Sequence, residues 1–78
     1  MSQYISKLEL HKTVCNNIKK LRIQSGLTQA QLSEMIDISH DYLRRLESEK
    51  GQKDFTFYTL YKVAIALNVP LDALVSDE

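Results

Sequence analysis

Two glycines and one proline are the only strong chain-breakers in these 78 residues, and they stand at Gly26, Gly51 and Pro70. They cut the sequence into helix-sized pieces, so the expected fold class is all-α. Leu10, Val14, Ile18 and Leu21 recur at steps of four, four and three, one stripe of a first helix that closes at Gly26. Ser6 followed by Glu9 fits a capping box and starts that helix as early as Lys7. A short strand over residues 4–10 is the competing reading, because Leu8-Glu9-Leu10 also alternates with period two.

Thr28 with Gln31 makes a second capping box, and Leu32, Met35 and Ile36 give the short helix behind it an apolar face. Asp37 then stands where a left-handed residue would end the helix. Ser39 is the N-cap of a third helix over residues 39–49, so the turn between the two is three or four residues long. After a loop over residues 49–55, Thr56 caps a fourth helix with the stripe Phe57, Leu60, Val63, Ala64 and Leu67, stopped by a left-handed Asn68. Pro70 opens a last short helix over residues 71–75. Five helices result. Residues 1–12 form an N-terminal extension, a longer helix or a short strand; residues 13–75 form the domain, and residues 76–78 an acidic tail.

One small domain is all that 78 residues and 9.0 kDa allow. A core of this size seldom supplies more than ~3–5 kcal/mol, which makes a dimer interface an expected reinforcement. The single cysteine, Cys15, cannot form an internal disulfide, and no apolar run is long enough for a membrane span or a signal peptide. The expected location is the cytoplasm, with no membrane partner. Ten Lys and Arg balance ten Asp and Glu, which by itself argues against a basic nucleic-acid binder.

Two short helices joined by a tight turn nevertheless describe a helix-turn-helix, in which the second helix lies in the DNA major groove. The residues Leu21-Arg22, Gly26-Leu27-Thr28-Gln29, Leu32-Ser33, Ile38-Ser39, Tyr42-Leu43 and Leu46-Glu47 carry a closer likeness. With Leu60, Ala64, Leu67, Val69, Leu71, Asp72 and Leu74 following in order, residues 16–75 resemble the Cro and phage-repressor class of helix-turn-helix domains, the XRE type. The resemblance implies a five-helix lambda-repressor-like fold and a DNA-binding transcriptional regulator. Three positions depart from the family pattern: Asp37 stands where Gly is frequent and Ser33 where Ala is, and the loop from Glu47 to Thr56 is longer.

A helical wheel places Leu43 and Leu46 on the buried side of the third helix and His40, Asp41, Arg44 and Arg45 on the exposed face. Arginine bonds guanine O6 and N7 bidentately, which makes Arg44 and Arg45 the first candidates for base reading, followed by His40. The resemblance implies that His40, Asp41, Arg44 and Arg45 all read bases. The plainer reading is that Asp41 simply pairs with Arg44 and Arg45 on a solvated face. Gln29, at the start of the second helix, is a candidate for holding a phosphate, a role the resemblance also implies. Tyr42, Lys20, Lys50, Gln52 and Lys53 are further candidates for DNA backbone contacts. Glu47 lies about 40° from Leu43 on the wheel, so its carboxylate needs a partner near the core; the resemblance implies that Arg22 supplies it.

Cys15, His11 and His40 are not spaced as metal ligands, and no activated nucleophile or glycine-rich phosphate loop is visible, so neither a metal, a cofactor nor catalysis is expected. On the fourth helix, Tyr58, Tyr61 and Ile65 form a second, partly apolar face, followed by Leu71, Leu74 and Val75. These six are the candidates for a homodimer interface that would present two recognition helices to a near-palindromic operator. The expected function is a sequence-specific DNA-binding regulator of transcription, a repressor rather than an activator, reading double-stranded DNA with helix 39–49. The alternative is a protein-interaction module of the same fold, acting through a protein partner. Charge separates along the chain: residues 19–53 hold seven basic against five acidic groups, and residues 54–78 one against four. The neutral total is thus an average over a mildly basic recognition half and an acidic end.

Overall fold

In the computed structural model, which describes residues 6–48 and 55–76, a hydroxyl side chain opens each of the four longer helices. Ser6 accepts the Glu9 backbone N–H at the head of α1 (Lys7–Gln24), and Thr28 that of Gln31 at α2 (Gln29–Met35). Ser39 accepts from Tyr42 at α3 (His40–Leu46), and Thr56 from Thr59 at α4 (Phe57–Leu67). Each such cap is worth ~1 kcal/mol against alanine. The box at α2 is reciprocal, since Gln31 Oε1 accepts the Thr28 N–H at 2.8 Å. At α1 it is half-formed: the Ser6 hydroxyl donates to Glu9 Oε1 at 3.5 Å instead. α5 (Asp72–Val75) follows Pro70 without a side-chain cap.

Three helices end in the same way. Gly26, Asp37 and Asn68 take positive φ of 75°, 57° and 57°. The next N–H then turns back five residues, Leu27 to the Arg22 carbonyl, Ile38 to Ser33 and Val69 to Ala64, at 3.2, 3.0 and 3.0 Å. This is the Schellman closure, and the apolar residue after each left-handed position packs against the core. The core joins Val14 and Ile18 of α1, Leu32 and Ile36 at α2, Leu43 and Leu46 of α3, Val63, Ala64 and Leu67 of α4, and Leu74 of α5.

The structure corrects several expectations. Residues 7–10 are helical, which removes the strand alternative there; residues 1–5 lie outside the described residues. α1 passes through residues 12 and 13 without a break, so the described part of the extension is the first turns of that helix. α3 ends at Leu46 rather than at 49: Glu47 is its C-cap, and the Ser48 N–H turns back only three residues, to the Arg45 carbonyl at 3.3 Å. Leu10, Met35 and Phe57, each assigned to a core stripe, are 39%, 55% and 71% exposed. Leu10 precedes Val14, the first buried residue of α1 among those described; Phe57 is the first residue of α4, and Met35, the last of α2, borders an open groove along α4 that leaves it uncovered.

Candidate nucleic-acid interface

Arg22, near the end of α1, and Glu47, just after α3, are buried polar residues whose only affordable state is mutual pairing. Arg22 Nε donates to Glu47 Oε2 at 2.7 Å and Nη2 to Oε1 at 3.0 Å, a two-pronged bond in which the Glu47 side chain is 2% exposed. The remaining Nη1 donates to the Leu27 carbonyl at 2.8 Å. One guanidinium thereby ties the end of α1, the turn before α2 and the end of α3 together.

A third donor reaches the same carboxylate. Gln29, the first residue of α2, gives Nε2 to Glu47 Oε1 at 3.0 Å, and its Oε1 lies 3.2 Å from His40 Nε2 at the start of α3. The chain of bonds therefore runs from the buried pair out to the exposed face of α3. Sequence reading missed this link, because it joins residues 11 and 18 apart whose proximity exists only once the turn has folded.

That exposed face consists of His40, Asp41, Arg44 and Arg45, as the wheel predicts. Asp41 Oδ1 pairs with Arg44 Nη2 at 2.6 Å and Oδ2 with Arg45 Nε at 3.1 Å; the three side chains are 52%, 69% and 54% exposed. Such solvated pairs hold about 0–1 kcal/mol each, so both arginines can exchange Asp41 for another anion or a base edge at little cost. Tyr42 is half-buried against the core, with its backbone N–H on the Ser39 cap. Lys20 is exposed on α1. Lys50, Gln52 and Lys53 lie outside the described residues.

The C-terminal face divides. Tyr58, Tyr61 and Ile65 are 65%, 51% and 65% exposed on α4, with the two rings stacked at 6.3 Å and Lys62 Nζ over the Tyr58 ring at 4.8 Å. They line a groove that continues to Met35, Ile36 and Asp37 at the end of α2. Val75 is 41% exposed and Leu71 is partly buried against the core. Leu74 is fully buried within the chain, which removes it from the candidates for an interface. The reason is a contact that the sequence does not announce: Asn17, buried on α1, donates Nδ2 to the carbonyls of Leu74, at 3.0 Å, and of Ser76, and this draws α5 onto α1.

Among the described residues, no group of three or more His, Cys, Asp or Glu is placed to hold a metal ion, and no helix is long and apolar enough to cross a membrane. Cys15 is fully buried, 3.6 Å from both His11 Nδ1 and the Ser48 carbonyl.

Residues 18–74 match the helix-turn-helix family. Over 69 residues the chain is 36% identical to the HTH-type transcriptional regulator y4dJ of Sinorhizobium fredii, which covers 88% of this chain and 87% of that protein. It is 36% identical over 66 residues to the immunity repressor protein of Bacillus phage phi105, covering 85% of this chain and 44% of that longer protein. Among solved structures, the restriction-modification controller protein C.AhdI from Aeromonas hydrophila superposes with a TM-score of 0.73 at 24% identity, over 81% of this chain and 92% of that one. The hypothetical transcription factor NHTF from Neisseria gives 0.80 at 18% identity, over 97% and 86%. At those identities the structural likeness speaks for the fold.

Proposed function

The chain belongs to the helix-turn-helix family and is a DNA-binding transcriptional regulator, and we propose that it acts as a repressor by laying α3 in the major groove of its operator. One observation carries the reading: α3 presents two solvated arginines on a helix that is locked from behind by a buried ion pair. Arg44 and Arg45 are the base readers, each suited to guanine O6 and N7, with Asp41 either orienting them or accepting from a cytosine amino group. His40 reads a neighbouring position. Gln29 Nε2 has a second hydrogen beyond the one given to Glu47, and offers it to a backbone phosphate. Tyr42 and Lys20 add backbone contacts, with Lys50, Gln52 and Lys53 from the loop.

Two copies meet through Tyr58, Tyr61 and Ile65, with Leu71 and Val75 at the margin, and place their recognition helices about 34 Å apart on a near-palindromic site. An exposed aromatic pair beside an isoleucine on so small a domain supports this dimer. The same face supports the second reading, a regulator that acts through a different protein. Selection from a randomised DNA pool separates them. A symmetric motif that disappears with Arg44→Ala and Arg45→Ala supports the operator-binding repressor. Absence of any enrichment at low salt would favour the protein-interaction module.

A further inference from the structure

We propose that Asp37 of one copy and Lys62 of a second form reciprocal ion pairs across a two-fold interface, so that the end of α2 belongs to the surface on which this chain pairs with itself. The inference rests on the dimer reading above and extends it from α4 to the turn of the helix-turn-helix.

Asp37 stands where the family frequently has glycine, and it holds φ of 57°. Glycine takes that conformation freely, whereas a residue with a Cβ does not. Nothing within the chain offsets the strain: Asp37 is exposed, and no ion pair among the described residues includes it. Its place is at the border of the groove between the end of α2 and α4, and Lys62 of α4 lines the same groove. Lys62 Nζ lies over the Tyr58 ring, and it too takes part in no ion pair among the described residues. Two opposite charges thus share one groove without meeting in one copy.

The surface around them is apolar. Phe57, Tyr58, Tyr61 and Ile65 fall within about 100° of one another on the α4 wheel, and each is more than half exposed. The opposite side of α4 already fills the core with Val63, Ala64 and Leu67. A helix that is apolar on both sides is suited to being covered on both sides. Met35, 55% exposed, carries the apolar surface on to Asp37. The charges indicate what covers it. Across a two-fold axis residue i meets j while j meets i, so the surface must complement itself. One carboxylate and one ammonium beside a shared apolar stripe meet that condition, each Asp37 facing the other copy's Lys62. A partner of single sign would leave one of the two against its like.

Sedimentation equilibrium of the full chain, with a thermal melt of every variant, tests the pairing. The wild type is expected to dimerise at high micromolar concentration. Lys62→Glu and Asp37→Lys each set like charges opposite one another, and each is expected to weaken self-association by at least about tenfold. Mixing the two folded variants, or combining both substitutions in one chain, restores opposite charges and is expected to recover the dimer. Asp37→Gly relieves the backbone and removes the charge, so it is expected to weaken the dimer although its monomer melts no lower than that of the wild type. If Asp37→Lys does not fold, Lys62→Glu and Asp37→Gly decide. A wild type that stays monomeric would defeat the dimer reading and the pairing together. A wild-type dimer that Lys62→Glu and Asp37→Gly leave intact, or whose loss is not recovered by mixing the folded variants, would overturn the pairing and leave the dimer reading standing.

Discussion

The domain contains the same chemical pairing in two settings, and the difference between them divides structure from function. Arg22 with Glu47 and Arg45 with Asp41 both place a guanidinium Nε within hydrogen-bond distance of a carboxylate, at 2.7 and 3.1 Å. The first pair is nearly sealed from water, its carboxylate shared with a second donor of the same guanidinium and with Gln29. The second lies in solvent, with Asp41 divided between Arg45 and Arg44. Burial makes the first pair obligatory, since removing either partner leaves a charge with neither water nor a counter-ion. Exposure makes the second exchangeable, because water solvates whatever is released. On the proposed reading, a domain that holds α3 rigidly from behind and offers its outer face to DNA uses one kind of pair on each side.

The largest expected effect breaks the buried side. Glu47→Ala leaves Arg22 uncompensated and should lower stability by about 3–5 kcal/mol, comparable to the whole stability of so small a domain. Its circular-dichroism melt should show a chain largely unfolded at room temperature; a melt like that of the wild type would mean the pair is not the clamp. Next come Arg44→Ala and Arg45→Ala, which should each weaken operator binding by about 1–3 kcal/mol in a titration. Their thermal stability should stay close to that of the wild type, and a marked drop would mean the exposed pairs are structural after all. A gain is expected at Asp37, which holds φ of 57° without the freedom of glycine. Asp37→Gly should add about 1 kcal/mol, raising Tm by about 4–8 °C for a domain of this size. The smallest effect is that of Asp41→Ala, below about 0.5 kcal/mol in stability. Melting with and without added salt should show the wild type and this variant shifting together.

What could be read in the sequence was what is decided locally. Ser6, Thr28, Ser39 and Thr56 act within three residues of themselves, and Gly26, Asp37 and Asn68 end their helices by their own backbone preference. The face of α3 was equally legible, because 100° per residue fixes which side chains share a side once Leu43 and Leu46 are inside. The pairing of Glu47 could be anticipated from its place beside that buried side. The length of α3 could not: no glycine or proline stands between Ser39 and Gly51 to mark its end, yet the helix closes at Leu46, with Glu47 as its C-cap and paired to Arg22, 25 residues earlier. Leu10, Met35 and Phe57 have the right spacing, but spacing does not say where the neighbouring helix ends. The burial of Leu74 and the link from Glu47 through Gln29 to His40 depend on distances between elements, and no local pattern encodes them. Charge shows the same limit. A neutral total conceals a mildly basic stretch over residues 19–53, and on the proposed reading so small an excess predicts weak binding to arbitrary DNA with modest salt dependence.

The central claim is that the outer face of α3 serves DNA while the pair behind it serves the fold. The most direct test is one titration series on the selected operator, with a thermal melt of every protein used. Arg44→Ala combined with Arg45→Ala should melt near the wild type and lose at least about tenfold in affinity. A double variant that binds the operator as tightly as the wild type would contradict the account.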